Sequence, residues 1–164
     1  MNSKRKILVP IFNRAHYGRL RSVLSAIKNN TALDLKIIVG VPAAYGYFFK
    51  NIKNSSPKSW SKALSWYFMA RLRSFLGKNF VFKNDFLAKN LVSDGFELES
   101  YAPIFFDGGK SETMAKTAAL GIEKLTDEIK KIKPDVVFVN ADRFEMMAVA
   151  IAASYLNIPI AHNE

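Results

Sequence analysis

Short apolar runs separated by stretches of helical period constrain this chain more than any other feature, because that alternation marks βαβ units and a parallel sheet. Lys6 to Phe12 reads as a buried strand, Asn13 to His16 as the loop behind it, and Tyr17 to Asn29 as a helix with Tyr17, Leu20, Leu24 and Ile27 on one face. Leu35 to Val39 is a second strand, closed by Gly40. A weaker strand falls at Phe96 to Tyr101 or at Ile104 to Phe106, before the turn Asp107-Gly108-Gly109. Glu112 to Ile132 is a long helix stopped at Lys133 by Pro134. Asp135 to Val139 is a further strand, Arg143 to Leu156 a helix, and Ile158 to Ala161 a final strand that reads as interior to the sheet. Doubly wound sheets cover such a strand with a helix, so a piece of a longer protein is expected.

The composition fits one folded domain. A chain of 164 residues buries roughly two-thirds of its unfolded surface, and 13 Phe with 6 Tyr and 2 Trp is too aromatic for a disordered chain. Without Cys it holds no disulfide framework, no thiolate metal site and no cysteine nucleophile, and a cytoplasmic location is expected. The first apolar run lacks a cleavage site, and no stretch reaches the length of a membrane span. The net charge of +10 is local. Residues 50–91 carry nine Lys or Arg against the single acid Asp85, while the remainder carries fifteen against thirteen.

In an open parallel sheet, ligands bind beyond the carboxyl ends of the strands. Asn13, Arg14 and His16 follow the first strand there; Asn140, Asp142, Arg143 and Glu145 follow the penultimate one; His162, Asn163 and Glu164 follow the last. Cations, carboxylates and imidazoles on one edge suit an anionic ligand combined with acid–base chemistry. The same residues have plainer readings. Asp142 and Glu145 are spaced as a helix-capping pair, Arg14 reads equally as a solvated charge, and His16 as a loop histidine. The patterns GxxxxGK[ST], GxGxxG, HExxH and GxSxG are absent, which removes support for a P-loop, a standard dinucleotide fold, a zincin and an α/β-hydrolase. Two distant histidines make no metal site, and neither a metal nor a cofactor is expected.

Asn13-Arg14-Ala15-His16-Tyr17-Gly18-Arg19-Leu20 resembles the first loop and helix of the hydrolysing UDP-N-acetylglucosamine 2-epimerases, whose pattern is close to (T/N)-R-A-x-Y-G-R-L. Three more blocks match in order: Ser93-Asp94-Gly95-Phe96-Glu97, Met114-Ala115-Lys116-Thr117, and the run from Lys133-Pro134-Asp135 through Asp142-Arg143 to Pro159-Ile160-Ala161-His162. The resemblance implies a Rossmann-like parallel sheet flanked by helices. It makes residues 1–164 the N-terminal half of a two-domain glycosyltransferase-B-like fold, truncated, with an insertion at about 49–91 and without the C-terminal UDP-binding domain. It further implies elimination of UDP to a glycal, followed by hydration to a free N-acetylmannosamine-type sugar, in a protein feeding sialic acid or polysaccharide synthesis. Asp142, Glu145 and Glu164 are implied as catalytic, and Arg14, His16, Arg143 and His162 as substrate-binding. The family's glycine loop after His162 is missing here, so this chain alone is not expected to turn over.

The insertion carries an apolar stripe through Trp60, Leu64, Phe68, Leu72 and Phe75, flanked by Lys58, Lys62, Arg71, Arg73 and Lys78. It reads either as a helix packed on its own protein or as a basic amphipathic helix, residues 58–78, lying on an anionic membrane surface. In the second case the protein is membrane-peripheral, and a non-catalytic interaction module becomes the rival to the enzyme. The expected partner is a UDP-sugar; no nucleic-acid motif accompanies the charge, and a homo-oligomer is left open.

Overall fold

The computed structural model describes residues 4–42, 86–106, 110–140 and 142–163. The elements are β1 (Arg5–Ile11), α1 (Arg14–Asn29), β2 (Leu33–Pro42), α2 (Phe86–Ser93), β3 (Ser100–Phe105), α3 (Ser111–Ile132), β4 (Val136–Asn140), α4 (Phe144–Tyr155) and β5 (Ile160–Asn163). All strand pairs are parallel, in the order β3-β2-β1-β4-β5. The chain winds outward from β1 through β2 to β3, then crosses to the other side of β1 for β4 and β5. The gap between β1 and β4 is therefore the switch point, where a crevice opens at the strands' carboxyl ends.

Alternation along the strands divides the core. Val9, Ile11, Ile37, Val39 and Val41 pack with Tyr17, Leu20 and Leu24 of α1 and Leu87 and Leu91 of α2. Leu8, Ile38, Ile104, Val137 and Val139 face Leu125 and Ile129 of α3 and Met146 and Val149 of α4. β1 to β4 are thus apolar on both faces, as strands covered by helices on both sides require, whereas β5 is mostly exposed.

Local chemistry sets the boundaries. Lys133 takes the left-handed conformation at φ 51° and its N–H bonds Ile129 C=O, which ends α3 before Pro134. Asp135 then ties β4 to β1, its Oδ2 accepting the Lys6 N–H at 2.7 Å and its own N–H donating to Lys6 C=O at 2.9 Å. Gly95, at φ 82°, closes α2 with its N–H on Val92 C=O. The Asp94 carboxylate, delivered by this turn, accepts the Tyr17 hydroxyl and the Arg21 guanidinium, while Lys28 donates to Gly95 C=O at 2.6 Å. Thr117 Oγ1 accepts the Phe106 N–H just beyond β3. Three of the four sequence blocks therefore owe part of their pattern to helix stops and strand ties.

Four expectations are corrected. The first helix begins at Arg14 rather than Tyr17, because Asn13 caps it. Gly40 does not close β2 but lies within it, since a Cβ there would stand 2.8 Å from the Phe105 ring and closer still to Phe12. Asp142 and Glu145 do not form a capping pair, because Arg143 occupies the cap position of α4 without a side-chain cap bond. The last strand is shifted to Ile160–Asn163 and is an edge strand among the described residues, because Asn157 at φ 56° and Pro159 delay the start of pairing. Most of residues 49–91, including 58–78, lie outside the described residues, as does Glu164.

Candidate active site

The β1 side of the crevice is built by a helix cap. Asn13 is extended (φ −155°, ψ 170°), and its Oδ1 accepts the His16 N–H at 2.9 Å, so α1 starts immediately behind the strand. The first turn then holds Arg14 and His16 and no acid. A cation at a helix N-terminus is unfavourable against the dipole and suits a bound anion. Arg14 is exposed, with its guanidinium carbon 4.3 Å from the centre of the Phe86 ring. His16 points the other way: 3% exposed, with neither ring nitrogen hydrogen-bonded. Burial pushes its imidazole below the usual 6.5; the Glu145 carboxylate opposes this shift, and the guanidiniums of Arg143 and Arg19 reinforce it. His16 is neutral at pH 7.

The β4 side supplies two ionic pairs from neighbouring residues. Asn140 ends the strand, buried, and its Oδ1 accepts from Asn163 Nδ2 across to β5 at 3.0 Å. Asp142, whose side chain is 82% exposed, lies 3.6 Å from Nε2 of His162, which is 43% exposed. Arg143 donates from Nε and Nη2 to both oxygens of Glu145 at 2.8–3.2 Å. The Glu145 side chain is only 1% exposed, whereas that of Arg143 is 52% exposed. Hydrogen bonding to Glu145 raises the Arg143 pKa.

Of the residues expected from sequence, the fold thus brings Asp142 to His162 and Arg143 to Glu145, with His16 in the field of the second pair. Arg14 stands at the β1 side of the same edge. Glu145 is not presented to the crevice as a free acid, because Arg143 occupies both its oxygens. Phe86 was not anticipated; its stacking joins positions 72 residues apart, which no local pattern signals. No group of three or more metal-ligating side chains occurs among the described residues.

The model of a protein family described as UDP-N-acetylglucosamine 2-epimerase matches residues 82–164, half of the chain. The chain belongs to that family. A curated relative, the UDP-N,N'-diacetylbacillosamine 2-epimerase (hydrolyzing) of Legionella pneumophila, is 27% identical over 161 residues, covering 96% of this chain and 32% of the relative. The GDP/UDP-N,N'-diacetylbacillosamine 2-epimerase (hydrolyzing) of Campylobacter jejuni is 23% identical over 98% of this chain and 32% of its own length. Among solved structures, the UDP-GlcNAc 2-epimerase of Neisseria meningitidis bound to UDP-GlcNAc superimposes with a TM-score of 0.61 at 16% identity, over 97% of this chain and 32% of that one. The Methanocaldococcus jannaschii enzyme in complex with UDP-GlcNAc and UDP gives 0.59 at 19%, over 97% and 32%. The chain therefore has the fold of about a third of these glycosyltransferase-B-like proteins and spans about a third of their length. No helix among the described residues is long and apolar enough to cross a membrane.

Proposed function

We propose that this chain supplies the acid–base edge of a hydrolysing 2-epimerase acting on UDP-N-acetylglucosamine or on a diacetamido UDP-sugar of the kind named for its relatives. The observation that carries this reading is the exposed Asp142–His162 pair at the carboxyl ends of β4 and β5, beside two exposed guanidiniums, Arg14 and Arg143. In the first step a base removes the proton on C2, the C1–O bond breaks, and its electron pair leaves on the diphosphate, giving a glycal. In the second, water adds across the double bond, its hydroxyl to C1 and a proton to C2 from the opposite face, releasing the free 2-epimeric sugar. We assign these proton transfers to Asp142 and His162, which lie 3.6 Å apart at the edge. Arg14 opposes the charge that grows on the leaving diphosphate, and Arg143 adds to it through Nη1, the guanidinium nitrogen that Glu145 does not engage. Glu145 fixes the Arg143 fork.

The test is Asp142→Asn in an epimerase of the relatives' full length that contains this sequence. Turnover is expected to fall at least about a hundredfold, the scale of a lost acid–base group, with an unchanged circular dichroism spectrum. Near-normal release of UDP and free sugar would remove Asp142 from the chemistry.

A further inference from the structure

We infer that Phe86 is a positioning residue that presents the Arg14 guanidinium to a diphosphate. This rests on the reading of Arg14 given above and adds to it a residue that the sequence motifs did not single out. Phe86 opens α2 and is 53% exposed. The Arg14 guanidinium carbon lies 4.3 Å from the centre of its ring. Among the described residues no carboxylate pairs with Arg14, so the aromatic face is what steadies it. Stacking engages the flat face of a guanidinium and leaves the in-plane N–H fork free, the edge that meets phosphate oxygens in pairs. A carboxylate partner would steady the same side chain but occupy that fork, as Glu145 does for Arg143.

The platform is itself fixed. The far end of α2 is tied to α1, the helix that carries Arg14, by Tyr17 and Arg21 on Asp94, by Lys28 on Gly95 C=O and by the edge-to-face contact of Tyr17 with Phe96. Leu87 and Leu91 bury the opposite side of α2 in the core shared with Leu20 and Leu24. Phe86 and Arg14 are thus the exposed ends of two helices locked together, and the guanidinium is held before any ligand arrives.

The experiment titrates the 164-residue chain with inorganic pyrophosphate and reads the backbone amides of residues 14–17 by NMR, a site-specific signal that binding to the basic stretch at 50–91 does not mimic. Phe86→Leu, which keeps an apolar side chain but no π face, is expected to weaken binding about fivefold, while Phe86→Tyr stays within about twofold of the unaltered chain. Arg14→Lys, which keeps the charge and loses the fork, is expected to weaken it at least as much as Phe86→Leu. Equal binding by Phe86→Leu and the unaltered chain, with Arg14→Lys impaired, overturns the role of Phe86 and leaves the Arg14 reading intact. If Arg14→Lys also binds normally, or the unaltered chain shows no response at millimolar pyrophosphate, the Arg14 reading falls and this one with it. Dispersed amide spectra of each variant separate these outcomes from loss of fold.

Discussion

Two ionic pairs start from adjacent residues, Asp142 and Arg143, yet the fold treats them in opposite ways. Asp142 and His162 face solvent at 3.6 Å, beyond hydrogen-bond distance. Arg143 and Glu145 make a two-toothed contact in which the acid is buried and the base half-exposed. The difference follows from position: Asp142 precedes the cap of α4 and projects beyond the sheet, whereas Glu145 lies in the helix's first turn and faces the sheet. One pair is open to solvent and the other is locked, although both consist of an acid and a base on the same few residues.

The largest expected effect tests that division. Removing the arginine strands a carboxylate with almost no access to water, whereas removing Asp142 leaves an imidazole already in solvent. Arg143→Ala is expected to destabilise the chain by about 3 kcal/mol at neutral pH, the scale for orphaning one member of a buried pair. Asp142→Asn should cost no more than about 0.5–1 kcal/mol, as for an exposed ion pair. Urea unfolding of both variants gives the ratio directly, and equal losses would mean that the two pairs do not differ in kind.

A second test uses the pH dependence of the buried imidazole on the β1 side. The folded-state pKa of His16 is depressed below 6.5 by burial, so below that pH the unfolded chain binds a proton that the folded chain resists. Its contribution to stability is present above pH 6.5 and is lost as the pH falls through the lower, folded value. His16→Asn is therefore expected to flatten the decline in urea midpoint between about pH 7 and pH 5. A decline untouched by His16→Asn would show that the buried imidazole is protonated in the fold.

How much of this was legible follows from how local each signal is. The strands stood out because apolar runs covered by helices on both faces are nearly continuous, and the end of α3 because Pro134 cannot continue a helix. The site's edge was legible for the same reason: polar residues directly behind apolar runs must fall at the strands' carboxyl ends. What failed was everything decided by side-chain direction. Glu145 and Asp142 have the spacing of a capping pair, but the acid is drawn instead to the Arg143 guanidinium, a competition that spacing cannot settle. Gly40 looked like a terminator because its reason for being glycine, the rings of Phe12 and Phe105 meeting edge to face above it, comes from two other strand ends. Ile158 to Ala161 reads as interior by hydrophobicity, whereas the helix stop at Asn157 shifts the strand two residues onward and the described sheet ends with it.

The smallest expected effect compares two glycines on facing sides of the same fold. Gly121 of α3 lies so close to α4 that an added Cβ would stand 3.0 Å from that of Ala148, so packing explains it. Gly18 lies in α1, exposed, and among the described residues nothing comes within 4 Å of where its Cβ would be. A helical glycine without a packing reason costs about 0.5–1 kcal/mol relative to alanine. Gly18→Ala is accordingly expected to stabilise the chain by that amount in urea, and Gly121→Ala to destabilise it by about 1 kcal/mol or more, the scale of a crowded helix contact. Gly18 also sits in the block that opens with Asn13 and Arg14, one turn from the cationic helix end. If Gly18→Ala stabilises this chain yet weakens pyrophosphate binding at residues 14–17, the glycine serves the approach of a ligand. A loss of stability would instead place an unseen neighbour against α1 and move the accessible face of the site to the α4 side of the crevice.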